Sequence, residues 1–559
     1  MIRNFISKLY SLYTPSFFMS GGGSPSGYLI ERSLRFNKTN TQFLNKTLAV
    51  SNRKKFTFSA WVKRGSLGSI QGLFQGYIDT NNAFRIDFDA ADTIFLGNTA
   101  AGVSTVITST AKFRDCSAWM HVLVAVDTTQ VTSTDRWKLY INGVLQTVTG
   151  SYPTLNLDLL ANYNITHYVG NDGTAAARSF DGYMSEVNFV DGQALTPSDF
   201  GEINPTTGQW VAKAYTGGYG TNGFYLDFKD GTSTTTLGYD AFGSNDWTLT
   251  SFTRSAGVND CWMLDVPAGN GSASAVQPSG NYAVLNPLDV SAATMTYANL
   301  RIVTTGGKRA TIKPNLSELI YVEATALSST NAGIAAAIGL MADDVSLTSN
   351  VYALANTWAF YSSNASYINR NGTPSAAIAS GIVVAGDVLQ LAYDPANNRA
   401  WFGKNNVWTG TSTASDGDPS NRLNATVSGL VSGLHIFGQV ESNSLDFNFG
   451  QRSFAYTPPT GFKALCTANL TSTDVIESGS FTGNASADGS FIWLNGTPET
   501  LTINGNAVTW GTHADRLSNG FKLRTSSSSY NSSGTNTWTA TILSPESKSA
   551  FKHQNAKGN

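Results

Sequence analysis

Charged side chains are scarce in this chain of 559 residues. Asp, Glu, Lys and Arg together make up 13% of it, about half the usual share in soluble proteins. The formal net charge is −2, and the basic residues form no cluster along the sequence. Neutralising phosphates requires clustered Lys and Arg, so we expect no nucleic-acid partner.

Cysteine and histidine are also rare, with three and five copies. Cys116, Cys261 and Cys466 are far apart and odd in number, which argues against a disulfide framework, and no Cys/His spacing resembles a zinc site. His121 and His435 lie in apolar, strand-like segments, where we expect them to pack beside a sheet. No Gly-x-Ser-x-Gly elbow leads into a helix, so the sequence offers no nucleophilic triad.

Long apolar runs are missing as well. The N-terminal stretch MIRNFISKLYSLYTPSFFMSGGGSPSG is interrupted by Lys8 and Pro15 and is too short to span a membrane. It also lacks a small-x-small cleavage site, so we predict neither a membrane span nor a secretory signal. We interpret residues 1–30 as an anchoring segment followed by a Gly/Ser/Pro hinge.

Short alternating segments separated by Gly, Asn and Asp dominate the rest of the chain. Every second residue of Phe56–Val62 is apolar and faces one side, which predicts a strand with one buried face. In WKLYINGVLQ, Asn142 and Gly143 separate two apolar runs and predict a tight hairpin. In LTPSDFGE, Thr196 precedes Pro197 and predicts a capped helical turn. Eight or more strands over about 150 residues indicate a β-sandwich.

The same pattern recurs in the second half of the chain. GDVLQLAYDPANNRAWFGKNNVW parallels HVLVAVDTTQ and RWKLYINGVLQ of the first half, which indicates two copies of one architecture. We therefore predict an all-β chain. Its sandwiches occupy residues 31–225 and 290–470, a connector occupies 226–289, and a small C-terminal β module occupies 471–559.

Two stretches resemble known families. Residues 54–202 resemble the laminin-G/pentraxin-like branch of the concanavalin A-like jelly rolls, through FTFSAWVKR, WMHVLVAVDTT, DRWKLYINGVLQ and FDGYMSEVNFVDGQALTPSDFGE. Residues 290–466 look like a SPRY-type domain, through GDVLQLAYDPANNRAWFGKNNVW and FNFGQRSFAYTPPTGFKALC. The resemblance implies tandem concanavalin A-like jelly-roll β-sandwiches, which in these families are chiefly interaction modules.

The combination resembles bacteriophage tail-fibre and other virion structural proteins. The segments that carry this likeness are GYLIERSLRFNKTNTQFL, GFYLDFKDGTSTTTLGYDAFGSNDWT, NYAVLNPLD and FTGNASADGSF. Such relatives imply a virion component that is assembled in the host cytoplasm and binds other tail proteins through its N-terminal segment. They also imply a homo-oligomer, with a trimer favoured, while no coiled-coil heptads fix the number of copies.

Aromatic side chains in polar loops are the candidates for a glycan site, because a sugar ring stacks on an aromatic face while amides bond its hydroxyls. Ordinary packing is the alternative for each of these rings. Trp61 and Trp137 lie within strands, where we expect them to pack against a sheet. The candidates at two predicted hairpin tips are Tyr77, Asp79, Asn81, Asn82, Asn405, Asn406 and Trp408.

Aspartates in RIDFDAAD raise the possibility of catalysis or calcium binding. A glycoside hydrolase needs two carboxylates, and Asp87 and Asp89, two residues apart on one strand, are the best candidates for such a pair. The Glu-x-Asp-x-x-Glu arrangement usual in concanavalin A-like hydrolases is missing, which favours a non-enzymatic protein. Asp87, Asp89 and Asp92 are the candidate calcium ligands, with Asp172 and Asp181 as further oxygen donors, because some laminin-G and pentraxin relatives bind this ion. Aspartates that cap turns are the alternative, and we favour it.

These observations favour attachment as the function. The expected protein is a non-enzymatic phage tail component that binds host-surface polysaccharide or a receptor through several weak contacts. A purely architectural role in joining or decorating tail components is the first alternative. A polysaccharide depolymerase is the second, and it requires an acidic cleft in one sandwich. Calcium is the one cofactor that the resemblance suggests.

Overall fold

The structure is a computed structural model, and strands dominate it. The all-β prediction is confirmed. Within the part of the chain that the structure describes, no helix has the length and hydropathy of a membrane span. The predicted N-terminal anchor lies almost entirely outside the described residues. These are 27–173, 176–204, 209–267, 276–289, 291–314, 317–327, 336–347, 350–363, 365–378, 381–441, 443–470, 475–494 and 496–542.

The first sandwich consists of two antiparallel sheets of eight strands each. Sheet 1 contains Ser33–Phe36, Lys55–Arg64, Met120–Asp127, Trp137–Ile141, Val144–Leu145, Gly182–Asp191, Phe224–Leu226 and Trp262–Met263. Sheet 2 contains Phe43–Thr47, Gln71–Asp79, Asn82–Phe88, Ile94–Ala100, Val103–Ser109, Val148–Gly150, Thr166–Val169 and Thr248–Thr250.

Aromatic side chains fill the space between sheets 1 and 2. Phe56 of sheet 1 contacts Phe84 of sheet 2, and Phe58 contacts Phe74, with ring centroids 5.4 Å apart in both pairs. All four rings are fully buried. The predicted alternation therefore holds: every second residue of the strand enters the core, and the residues between them face outwards.

Two local predictions from the sequence are confirmed. Asn142 and Gly143 adopt φ values of 48° and 80°, the left-handed conformation that a tight hairpin turn requires. Thr196 and Asp199 form a reciprocal capping box around the 3-10 turn Pro197–Asp199.

The second sandwich repeats the two-sheet design. Its core includes Val322, Leu391, Ile338 and Ile436, all fully buried. Sheet 3 contains Met295–Thr296, Arg301–Ile302, Ile320–Ala326, Val388–Asp394, Arg399–Lys404, Val407–Thr409, Val427–Ser428 and Leu445–Asn448. Sheet 4 contains Gly306–Arg309, Ala336–Met341, Thr357–Ser362, Ser366–Arg370, Thr373–Pro374 and His435–Val440.

A small C-terminal unit and several short elements complete the described chain. The C-terminal unit packs two small sheets around a core that includes Phe521 and Trp538. Its strands are Val475–Thr482, Phe491–Trp493, Pro498–Ile503, Asn506–Ala507, Ala514–Leu517, Gly520–Leu523 and Thr535–Ile542, with the helix Ser528–Asn531. Gly201–Ile203 and Trp210–Ala212 form a separate two-stranded sheet. Further 3-10 turns are Lys38–Asn40, Ser133–Asp135, Ala176–Arg178, Thr236–Gly238, Val351–Ala353, Pro395–Asn397 and Thr467–Asn469.

Part of the predicted connector belongs to the sheets of the first sandwich. Thr248–Thr250 pairs with Phe43–Thr47 in sheet 2, and Trp262–Met263 pairs with Ser33–Phe36 in sheet 1. Both strands are two or three residues long, too short to show a hydrophobic period. They form because strands distant in sequence offer them unpaired backbone groups.

The outer face of sheet 1 is covered, and part of it joins the first sandwich to the second. Trp61, Trp119 and Tyr183 point away from the core between sheets 1 and 2 and belong to one apolar cluster with Leu300 of the second sandwich. His121 lies on the same face, where its Nδ1 accepts a hydrogen bond from the Trp210 indole at 3.1 Å. Burial lowers the pKa of His121 to about 3, so it is neutral and packs beside the sheet, as predicted.

A buried ion pair lies at this junction. Lys63 Nζ donates to Asp265 Oδ2 and Asn281 Oδ1, both at 2.8 Å, and to the Tyr282 carbonyl at 2.7 Å. The Trp119 indole donates to the other oxygen of Asp265 at 2.9 Å. Both charged side chains are fully buried. Burial lowers the pKa of Lys63 and raises that of Asp265, and the attraction between them opposes both shifts.

Removing one partner of this pair is expected to be costly. Asp265→Ala leaves the Lys63 ammonium buried without its counter-ion, so we expect the free energy of unfolding to fall by about 3–5 kcal/mol. Urea denaturation followed by tryptophan fluorescence measures it. Asp158→Ala is the matched control, because Asp158 pairs with Lys54 at 3.8 Å on the surface. A surface pair contributes about 1 kcal/mol or less, so equal effects of the two changes would contradict the prediction.

Candidate functional site

The outer face of sheet 2 carries aromatic and charged side chains. Phe84 and Ile86 point into the core, so Arg85 between them points outwards. The strand register places Gln75 between Tyr168 and Arg85. We call seven outward-facing residues the open face: Phe43, Gln75, Tyr77, Arg85, Asp87, Phe95 and Tyr168. Gln75 and Asp87 are buried, and the other five are partly exposed.

Asp87 lies at the centre of the polar contacts on the open face. One of its oxygens accepts a hydrogen bond from Gln75 Nε2, and the other accepts from Arg178 Nη1 at 2.8 Å. Arg178 also lies 3.1 Å from Asp172, so it is shared between two carboxylates. Burial raises the pKa of Asp87 to about 6, while Arg178 and Gln75 oppose that shift.

Two polar atoms of the open face have unused hydrogen-bonding capacity. Gln75 Oε1 and Arg85 Nε are buried and have no hydrogen-bond partner. The Arg85 guanidinium lies over the Tyr77 ring, 5.4 Å from its centroid. An aromatic ring, an unused acceptor and an unused donor therefore lie on neighbouring strands.

The predicted hairpin tip beside Tyr77 is held by its own hydrogen bonds. Asp79 accepts from the Asn81 amide at 2.8 Å and from the Asn82 side chain at 3.1 Å. Asn82 in turn accepts from the Ala101 amide at 3.0 Å, which ties the tip to the next hairpin. Tyr77 thus presents a ring on the open face, whereas Asp79, Asn81 and Asn82 shape the turn at its edge.

The candidate calcium ligands do not converge on one site. Asp89 accepts from the Ala91 and Thr93 amides and caps its own turn. Asp92 lies 3.1 Å from Arg64, and Asp87 is paired with Arg178 as described above. In the described ranges, no group of three or more His, Cys, Asp or Glu is placed to hold a metal ion. These residues therefore do not fit the oxygen-ligand set that calcium requires.

The candidate site in the second sandwich is a tight turn that anchors its own sheet. Asn405 and Asn406 adopt φ values of 51° and 65°, and the Asn405 side chain donates to Asp387 at 2.6 Å. The Trp408 ring packs against Tyr321, with centroids 6.3 Å apart, and is partly buried. These contacts give all three candidates a structural role, and they lie in a different sandwich from the open face.

Part of the first sandwich matches a known family model. Residues 37–200 match the family model of the concanavalin A-like lectin/glucanases superfamily. This part of the chain has a concanavalin A-like fold. The matched range contains every residue of the open face, as well as the tip residues Asp79, Asn81 and Asn82. Among curated protein sequences, none matches the chain.

Three solved structures illustrate what the fold is similar to. A SAP-like pentraxin from Limulus polyphemus is 16% identical, with a TM-score of 0.23, over 30% of this chain and 78% of its own. The SPRY domain of human HERC1 is 10% identical, with a TM-score of 0.21, over 31% of this chain and 94% of its own. Tailspike protein 2 from Escherichia coli O157:H7 bacteriophage CAB120 is 13% identical, with a TM-score of 0.24, over 32% of this chain and 25% of its own.

Sequence patterns identify Tyr77 and Asp87 separately and do not identify Gln75, Arg85 and Arg178, which connect them. Gln75 lies two residues before Tyr77, and Arg85 lies two residues before Asp87. Alternate residues of a strand share a face, so the sequence could have indicated that each pair lies on one face. Arg178 gives no such signal, because it reaches Asp87 from a turn 91 positions further along the chain.

The raised pKa of Asp87 predicts a pH dependence of stability. Its folded pKa of about 6 exceeds the ordinary value of 3.8, so the folded protein takes up this proton at a higher pH than the unfolded chain. The carboxyl group therefore favours folding increasingly as the pH falls. We expect the free energy of unfolding of the wild type, relative to Asp87→Asn, to rise by about 2 kcal/mol between about pH 7 and pH 4.

Urea denaturation of the two proteins at several pH values measures this difference. Asp158→Asn, which removes an exposed carboxylate, controls for the loss of one negative charge. A wild-type advantage that shrinks as the pH falls would show that the Arg178 ion pair outweighs burial, and would contradict the prediction.

Proposed function

We propose that this chain is a non-enzymatic, glycan-binding structural protein of a bacteriophage tail, and that the open face is its binding surface. The observation that carries the proposal is the partly exposed Tyr77 ring beside the partly exposed Arg85. A sugar ring places its C–H face on such an aromatic ring, and its hydroxyls accept hydrogen bonds from the Arg85 guanidinium beside it. A few well-placed polar groups next to an apolar surface are typical of small-ligand sites.

The match of residues 37–200 to a superfamily of lectins and glucanases supports a carbohydrate ligand. Binding without hydrolysis is supported by the contacts of Asp87, which belongs to the open face, and of Asp89, which follows it in the sequence. Glycosidases need two carboxyl groups on either side of the scissile bond, roughly 5–10 Å apart. Asp87 is held by Arg178 and Gln75, and Asp89 caps its own turn, so neither is free to act as acid or nucleophile.

The phage setting rests on the sequence segments that resemble tail-fibre joints, such as GYLIERSLRFNKTNTQFL. In that setting the N-terminal segment binds other tail proteins, and the chain forms a homo-oligomer, with a trimer favoured. Several copies of a weak site then act together, because each bound copy raises the effective concentration of the next.

Replacing the aromatic ring of the open face is expected to weaken glycan binding. We expect Tyr77→Ala to lower the affinity for the bound polysaccharide roughly tenfold or more, which corresponds to about 1.4 kcal/mol. The measurement uses the full chain and a panel of immobilised bacterial capsular and O-chain polysaccharides, followed by titration calorimetry on those that bind. A calcium chelator should leave binding unchanged, because Asp87, Asp89 and Asp92 already have protein partners.

Tyr163→Ala is the matched control. Tyr163 is an exposed tyrosine of the same sandwich and also lies under an arginine, with Arg53 4.4 Å from its ring centroid, but it is not part of the open face. Equal loss from both changes would place the site elsewhere. No saturable binding to any polysaccharide by the assembled oligomer would favour the architectural role instead.

A further inference from the structure

A cavity of about 150 Å³ lies on the outer face of sheet 1, on the opposite side of the first sandwich from the open face. Aromatic rings form much of its wall, among them Trp61, Phe200, Tyr215 and Tyr219. Lys213 and Lys229 also line it. The cavity is separate from the proposed glycan site, and no step of the glycan proposal uses it.

Glu186 enters this cavity from an irregular point in a strand. The pairing of Gly182–Asp191 with Lys55–Arg64 shifts register between Ser185 and Asn188, which marks a β-bulge. Within the bulge Glu186 adopts a φ of 52°, in the left-handed region that non-glycine residues seldom occupy. Strained backbone of this kind is concentrated at functional sites, because the surrounding structure has to hold it in place.

The Glu186 carboxylate has one occupied oxygen and one unused oxygen. Tyr28 and Tyr225 both donate their hydroxyl groups to Oε2, the second at 2.7 Å. Oε1 is buried and has no hydrogen-bond partner, and only 6% of the residue is exposed. A buried carboxylate oxygen without a donor is unfavourable, so the position calls for a hydrogen-bond donor from outside the described residues.

The two lysines of the cavity wall do not supply that donor. Lys213 Nζ donates to the Ser198 carbonyl at 3.0 Å, and Lys229 Nζ lies 3.6 Å from Glu31. Burial raises the pKa of Glu186 to about 7, and the hydroxyls of Tyr28 and Tyr225 oppose the shift. The carboxyl is therefore mostly ionised at slightly alkaline pH, with its charge incompletely balanced.

We propose that this cavity binds a small organic molecule through a primary ammonium group that donates to Glu186 Oε1. A cation with N–H groups satisfies both the charge and the unused acceptor, and aromatic walls favour a cation over a neutral group. A cavity of about 150 Å³ accommodates a molecule of roughly the size of benzene, so the ligand has about six to eight non-hydrogen atoms.

Cyclohexylammonium is the probe, and cyclohexanol, a neutral molecule of similar shape, is the control compound. Titration calorimetry of the full chain at about pH 8 should show saturable binding of the ammonium probe, with cyclohexanol roughly tenfold weaker or more. Glu186→Gln keeps the shape but removes the charge, and should weaken the ammonium probe by a similar factor. Glu202→Gln, the same change on the neighbouring strand Gly201–Ile203, should leave binding unchanged.

A second variant tests the cavity without touching the carboxylate. Ala214 lines the cavity and is partly exposed, so Ala214→Phe is expected to fill it and abolish probe binding while the thermal unfolding temperature stays close to that of the wild type. Both variants should retain polysaccharide binding by the open face, so the two proposals fail independently. No saturable binding of cyclohexylammonium, or equal binding to the wild type and Ala214→Phe, would overturn the proposal and assign Oε1 to water.

Discussion

The buried pair of Lys63 and Asp265 is the constraint on which the arrangement of the two sandwiches depends. A lysine ammonium in an apolar interior is tolerated only when its charge and all its protons are matched. Here Asp265 supplies the charge, and Asn281 and the Tyr282 carbonyl supply the remaining acceptors. These partners lie more than 200 positions from Lys63, so the first sandwich can bury its strand only when the following segment is folded against it.

That junction leaves the two outer faces of the first sandwich with different exposure. The face of sheet 1 is covered by the second sandwich and by the two-stranded sheet Gly201–Ile203 with Trp210–Ala212, apart from the cavity at Glu186. The face of sheet 2 keeps its aromatic and charged side chains partly exposed. An extended polymer such as a polysaccharide needs an accessible surface, which sheet 2 offers, whereas the cavity on sheet 1 has room only for a small molecule.

The few charged residues of this chain have a structural role. Several of the few aspartates are buried and paired with a cation: Asp87 with Arg178, Asp92 with Arg64, Asp265 with Lys63 and Asp446 with Arg452. The charges therefore fix how strands and loops meet in the interior, where an unpaired charge is costly. Hydroxyl and amide groups keep much of the surface polar instead.

Local chemistry is what the sequence by itself determined. Alternation along Phe56–Val62 and the Asn142-Gly143 turn act over a few neighbouring residues, so the strands, the hairpins and the all-β class follow from them. Tyr77 was identified because the polar residues Asp79, Asn81 and Asn82 follow it closely in the sequence. Tertiary structure alone decided the partners: Arg178 reaches Asp87 across 91 positions, and the bulge turns Glu186 to the outer side of its strand. Such contacts depend on how strands distant in sequence are paired, and no local pattern of residues encodes that pairing.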